Sequence, residues 1–308
     1  MKKNPELHET NRYKDSAFPV GVYIVTPLGI EPEGRGYQDL HWHEELQYTL
    51  VTDGECNVQV NGVDYRLKEG EMIFINRNLL HITTKLSAHG RYMSLNFPDK
   101  MLSFFAGSRM EQDYVTPFTG NVAFPALVYS ADVPWQAEGL SCIREIFDLL
   151  VAEEKPPFLE YRVSLKCAEL WIGMISNCRE SIGSPSNGDV RKQHRIRDML
   201  TYIHANYMNP ITLAEVAEAA HVSEGECCRC FRSMVRRSPM QYLQWYRISK
   251  GQEMLNSSQL SVTEIAYACG FGDSSHFIQY FRKQNGITPK EYRKQAEETE
   301  KIRDIERD

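Results

Sequence analysis

The chain has 308 residues, is 42% hydrophobic and 25% charged, and carries a net charge of -6. This excludes a disordered or collagen-like chain and predicts about two domains. The opening MKKNPELHETNRYKDS has no apolar run behind its lysines, and no stretch approaches the roughly 20 apolar residues of a membrane helix. A cytoplasmic protein with no membrane partner is expected, its eight cysteines reduced. The charge is uneven. Residues 1–190 hold 17 Lys and Arg against 26 Asp and Glu, whereas residues 191–295 hold 15 against 9. A basic region behind an acidic one points to an anionic partner for the C-terminal part.

From about Val20 to Phe97 the pattern is β-like. LQYTLVTDGECNVQVNGVDYRL carries β-prone runs broken by DG and NG, which are hairpin signals. EMIFIN and RYMSLNF read as further strands, and short strands at this spacing predict a barrel or sandwich. In HWHEELQ, His41 and His43 alternate on one strand face, and His81 follows strands able to fold back beside them. Two helices are expected next, near Trp135–Ala152 and Phe158–Cys178. In the second, Leu165, Ala168, Trp171, Ile172 and Ile175 recur at helical spacing. They make either a face packed on the chain's own domain or a helix–helix dimer seam. SIGSPSNGD, Ser181–Asp189, reads as a linker.

After the linker the pattern is helical throughout. VRKQHRIRDMLTYIHANY stops near Pro210. Thr212 with Glu215 has capping-box spacing, and Ser223 is another candidate cap. A phrase then recurs. EVAEAAHV from Glu215 answers EIAYACGF from Glu264 at an offset of 49, and CCRCFR from Cys227 answers FIQYFR from Phe277 at 50. FRSMVRRSPMQYL and FRKQNGITPKEYR close the two copies. Each copy reads as helix, tight turn, helix. Ala217 and Ala266 sit where the helices cross. Val222/Phe271, Cys227/Phe277 and Phe231/Phe281 supply two small cores. The turn falls at Gly270 in one copy and at His221 in the other. His221 is tolerable there if its backbone is right-handed helical or lightly strained.

Two tandem helix-turn-helix units joined by one helix, about Met240–Ser257, match DNA's own repeat. That helix spans about 27 Å at 1.5 Å per residue, against roughly 34 Å between successive major-groove faces. With the core positions subtracted, the outward residues of the first recognition helix are Ser223, Glu224, Gly225, Cys228, Arg229 and Arg232. Those of the second are Ser274, Ser275, His276, Gln279, Arg282 and Lys283. Arg229 suits guanine O6 and N7, and Gln279 suits adenine N6 and N7. Arg232, Arg282 and Lys283 suit phosphates. Cys227 and Cys230 of CCRC read as small core residues, because no second ligand pair stands at zinc spacing.

Over residues 191–295 the sequence resembles the AraC family of bacterial transcription regulators, most closely in SVTEIAYACGFGDSSHFIQYFRKQNGITPKEYR. It departs from the family pattern at Gln279, His276 and Arg237, the last standing for a Gly before the first Ser-Pro. The HWHEELQ and EGEMIFINRNLLH stretches resemble the cupin barrel found as a sensor half in many such regulators. Metal-binding cupins are similar, with two His, a Glu and a later His, but here Gln47 stands at the Glu position. The resemblance implies an α+β chain of two domains. Residues 1–180 are a cupin-like β-barrel with flanking helices, for effector binding and dimerisation. Residues 181–190 are a linker, 191–295 an all-α tandem helix-turn-helix, and 296–308 a charged tail. It further implies a homodimer on double-stranded DNA, with RNA polymerase as a further partner. His41, His43, Gln47 and His81 are expected to hold a small-molecule effector, sugar-like or a related metabolite. No catalytic residue, metal or cofactor is assigned. A metal-dependent barrel enzyme fused to a DNA-binding domain is the alternative, and constitutive DNA binding with an inert sensor is a third reading.

Overall fold

The computed structural model describes residues 9, 11, 13, 15, 17–32, 34, 37–119, 121–179, 183 and 187–294. The chain divides into two compact units, Leu7–Gln193 and the segment from His194 onward.

The first unit holds nine strands: β1 (Gly21–Thr26), β2 (Gly29–Glu31), β3 (Leu46–Asp53), β4 (Glu55–Val60), β5 (Val63–Lys68), β6 (Met72–Ile75), β7 (His81–Leu86), β8 (Arg91–Phe97) and β9 (Ala126–Tyr129). They form two antiparallel sheets, one in the order β2-β1-β8-β3-β6-β9 and one in the order β5-β4-β7. The expected barrel is therefore a pair of separate sheets and not one closed hydrogen-bonded cylinder. Glycines in left-handed conformations, Gly54 and Gly62, turn the chain at the DG and NG signals.

Two short helices, α1 (Lys100–Ser103) and α2 (Thr116–Thr119), flank a π-helical turn at Met110–Val115. Two long helices follow, α3 (Pro134–Val151) and α4 (Leu159–Cys178), each within a residue of the sequence expectation. One core joins Leu46, Tyr48 and Leu50 of β3 to Cys167, Leu170, Trp171 and Met174 of α4. A second core, including Val58, Leu67, Ile73 and Ile75, fills the space between the sheets. β3 is thus buried on both faces, with Gln47 and Thr49 on the side away from the helices.

The two readings of α4 divide by face. Trp171 and Ile175 are buried, and Ala168 packs against the core. Leu165 and Ile172 point outward, 61% and 58% exposed, in line with Tyr161 at 74%.

The expected linker is shorter than its composition implied. Helix α5 (Asn187–Asn206) begins inside it, because Asn187–Val190 continue into the apolar periodicity of Ile196, Met199, Leu200 and Ile203, which are buried. Positions 181, 182 and 184–186 lie outside the described residues, as does the tail 296–308.

The second unit continues with α6 (Leu213–Glu218), α7 (Glu224–Met234), α8 (Pro239–Ser257), α9 (Val262–Ala268) and α10 (Ser274–Asn285), and residues 289–294 are helical again. Caps written in the sequence set the boundaries. Thr212 and Glu215 form a capping box at α6, Ser238 and Gln241 at α8, and Ser261 and Glu264 at α9. Ser223 caps α7 by accepting from the Glu226 amide. Ala217, Ala266, Cys227, Phe277, Phe231 and Phe281 are all buried, as the repeat required, while Val222 is half-buried.

Two turn positions of the first copy carry positive φ. Of the two conformations expected for His221, right-handed helical or lightly strained, it takes the strained one, φ 50°, beside φ 80° at its counterpart Gly270. The residue that stands in for glycine before the first Ser-Pro is Arg236, at φ 59°, and not Arg237; its counterpart Gly286 has φ 78°. The chain path through both turns is kept, and non-glycine residues carry its cost in the first copy.

Candidate functional site

In the second unit, α7 and α10 are the second helices of the two repeats, held by α8 between them. Each has one buried stripe, Cys227, Cys230, Phe231 and Met234 in α7 and Phe277 and Phe281 in α10. The opposite faces carry the expected residues. Ser223, Gly225, Arg229 and Arg232 are exposed and Cys228 is half-buried. Ser275, His276, Gln279, Arg282 and Lys283 are exposed and Ser274 is half-buried. These faces also bring helix N-termini to the surface, where free amides favour anions. Arg229 is held within its own helix, its Nη2 donating to Glu226 Oε2 at 2.6 Å and its Nε at 3.1 Å. Glu226 also lies 3.5 Å from Arg195 of α5. Arg229 must leave this pairing to reach a base. In CCRC, burial pushes the Cys227 thiol up to about 12, consistent with a packed and unreactive side chain.

In the first unit the three histidines converge. His41 and His81 form an isolated antiparallel bridge and exchange both main-chain hydrogen bonds, at 3.1 and 2.9 Å. Directly paired residues share a face, and His43, two along from His41, joins them there. Ring centroids lie 4.3 Å apart for His41–His81, 5.0 Å for His43–His81 and 5.8 Å for His41–His43. All three are buried. Gln47 also reaches the cluster, with Oε1 2.9 Å from His43 Nε2. Its amide donates to Thr49 at 2.8 Å, and Thr49 meets Ser94 of β8 at 2.8 Å. The four residues expected to form a pocket therefore meet in one place.

The cavity beside them is about 20 Å³, room for a water-sized occupant. Its wall includes residues that the sequence reading missed: Glu9, Thr49, Tyr92, Ser94 and Asn96. The available signal was a pair of polar alternations, Gln47/Thr49 and Ser94/Asn96, inside otherwise apolar strands; the two sets are cross-strand partners. Glu9 places a carboxylate oxygen 3.4 Å from His41 Nε2. Asn11 and Tyr13 follow it along the chain and donate to the Glu45 carboxylate, which lies 3.5 Å from His43 Nδ1. Burial, and then the neighbouring His43, push the His81 pKa down to about 3, so this ring is neutral at ordinary pH.

Comparison with known proteins agrees with both halves. A family described as a helix-turn-helix domain matches residues 216–295, and one described as a cupin domain matches residues 29–88. An uncharacterised HTH-type transcriptional regulator of Bacillus subtilis, YdeC, is 30% identical over 289 residues, covering 94% of this chain and 96% of the relative. The HTH-type transcriptional activator RhaS of Yersinia pestis is 24% identical, covering 94% and 98%. Among solved structures, unsaturated fatty acid-bound ToxT of Vibrio cholerae superposes with a TM-score of 0.45 at 13% identity, covering 92% of this chain and 97% of that one.

Proposed function

Because the chain belongs to the AraC family of helix-turn-helix transcription regulators, we propose that a small polar molecule in its cupin pocket sets its affinity for a specific promoter sequence. It is a DNA-binding regulator and not an enzyme. The observation that carries the finer reading is the pair of outward faces on α7 and α10, which hold every residue that the two small cores leave over. Each helix enters one major groove on the same side of the duplex. Arg229 and Gln279 read bases, while Arg232, Arg282 and Lys283 meet phosphates. Ser223, Gly225, Cys228, Ser274, Ser275 and His276 complete the contact faces.

His41, His43, Gln47 and His81 form the effector site. The cavity of about 20 Å³ is far smaller than a sugar needs. A sugar-sized effector therefore enters only when the segment carrying Glu9, Asn11 and Tyr13 lifts from the mouth. Such a molecule changes the response only by binding one arrangement of the chain better than another. The protein acts as a homodimer through the exposed Tyr161, Leu165 and Ile172 stripe of α4, placing paired reading heads on a promoter, where RNA polymerase is the further partner.

The test is selection of genomic DNA fragments by the purified full chain at about 150 mM salt. Enrichment of sites with two short blocks about one helical turn apart is the expected result. An unenriched pool, with and without small-molecule cell extract, overturns the proposal.

A further inference from the structure

The two helix-turn-helix copies meet at the chain that enters the first one. Just past α5, the carbonyls of Tyr207 and Asn209 are met by a side chain from α8. Arg247 donates to the first from Nε and to the second from Nη2, each at 2.8 Å. A planar guanidinium presents its donors as a fixed fork, and carbonyls at a helix end are ready acceptors. Arg293, in the helical segment 289–294, treats the end of α8 in the same way. Its Nη2 donates to the Leu260 carbonyl at 2.7 Å and its Nε to that of Leu255 at 3.4 Å. Helix α8 closes the first copy and opens the second, so each copy ends with an arginine clamped on the helix that opens it.

The first clamp also reaches into the other copy. Its guanidinium lies over the Phe271 ring, 5.9 Å from the centroid, and Phe271 belongs to the turn of the second copy. One residue earlier, Gly270 abuts the same carbonyl segment: a Cβ there would stand 2.5 Å from the Tyr207 oxygen. His221, at the matching place in the first copy, carries an almost wholly exposed ring, so the turn by itself does not demand such crowding. Tyr207 and Phe271 are both buried at this junction. Burial works against the Arg247 charge, and the two carbonyls and the ring offset that cost.

We propose that Arg247 is a positioning residue for DNA reading: it locks the second helix-turn-helix against the entry to the first and so sets which spacing of two sequence blocks the protein accepts. The inference rests on the reading of α7 and α10 as paired heads. Helix α8 sets how far apart the copies stand, whereas their rotation about its axis is set by what packs across it. One inserted base pair moves a block by about 3.4 Å and turns it by about 34–36° around the duplex. Locked heads reject that change, and loosened heads follow it.

The test uses the full chain and the duplex it selects, with the two blocks at their selected spacing and with one base pair inserted between them. Each protein is scored by the ratio of its two dissociation constants, in which any loss of folded protein cancels. The wild type should bind the lengthened duplex roughly 30-fold more weakly, and Arg247→Met less than about 5-fold more weakly. Arg293→Met removes a clamp at the end of α8 and should keep the wild-type ratio. Arg247→Lys keeps the charge but cannot span both carbonyls. Its ratio should fall between the two, and it carries the test if Arg247→Met fails to fold. A wild-type ratio in both Arg247 variants, or the same collapse in Arg293→Met, overturns the inference and leaves the paired heads standing. A wild type that ignores the inserted pair, or that selects no two-block site, removes the paired-head reading as well.

Discussion

Replacing Gly270 by Ala isolates what the turn between the two helices of a repeat demands. Gly270 has φ 80°, and a Cβ there would stand 2.5 Å from the Tyr207 carbonyl oxygen and 2.8 Å from that of Met208. Both are main-chain atoms just beyond α5 and cannot rotate away. The left-handed backbone costs an alanine about 1–2 kcal/mol. Overpacking against fixed atoms adds about 1–3 kcal/mol, and the stiffer unfolded chain returns about 0.4–1 kcal/mol. The net expectation is a loss of about 2–4 kcal/mol, a fall of roughly 10–25 °C in the transition of a unit this size. His221 holds the same position in the first copy at φ 50°, with an almost wholly exposed ring 3.8 Å from the Glu218 carboxylate on the surface. His221→Gly relieves the backbone and should raise stability by about 0.5–1 kcal/mol after the glycine entropy cost. His221→Ala should change it by less than about 0.5 kcal/mol. Scanning calorimetry of the full chain, following the transition of the C-terminal unit, reads all three variants. A Gly270→Ala protein within about 1 kcal/mol of wild type, or a His221→Gly protein that melts lower, would refute the assignment of strain to these turns.

Arg229→Ala should relax one base position by about 1–3 kcal/mol in competition binding. Arg232→Ala should weaken all sequences alike and lower the salt slope by about one; equal, unselective losses from both would remove Arg229 as a reader. Leu165→Glu combined with Ile172→Glu should convert the dimer to a monomer in light-scattering chromatography, and an unchanged mass would move the seam elsewhere. Hydrogen bonds from Thr212, Ser261 and Thr288 hold the Glu215, Glu264 and Glu291 carboxyls below the ordinary range. A depressed carboxylate stabilises above its unfolded pKa, and that contribution is lost as pH falls through the folded value. The C-terminal transition should therefore drop on acidification through the carboxylate range. Glu264→Gln should flatten that dependence, and an unaltered profile would count against the cap.

The DNA-binding half was largely legible because its information is local. Cap residues and the buried Phe231 and Phe281 are each set within one helical hairpin, and the offset of 49–50 residues repeats that hairpin. Subtracting core positions was enough to find the outward faces of α7 and α10. What escaped was also local but conformational. Composition made 187–190 a linker, whereas the periodicity of α5 extends through them. The left-handed residue two before Ser238 is Arg236, which the offset of 50 pairs with Gly286, although the departure was placed at Arg237.

The pocket was legible in its members and illegible in its chemistry, for a reason rooted in sheet register. His41 and His43 alternate within one segment, so a shared face could be read directly. Their distance from His81 depends on the His41–His81 bridge and its neighbouring main-chain links, between segments 40 residues apart in sequence. A slip of one residue in that bridge would send His81 to the other face. The same register sets each Nδ1 against a main-chain carbonyl and brings the three rings together. Gln47 stands where metal-binding cupins carry a Glu, and the carboxylate beside His41 comes from Glu9, a segment 32 residues earlier. Sequence spacing counts partners along one motif, whereas a buried polar site is closed by whichever part of the chain supplies the neighbouring oxygen.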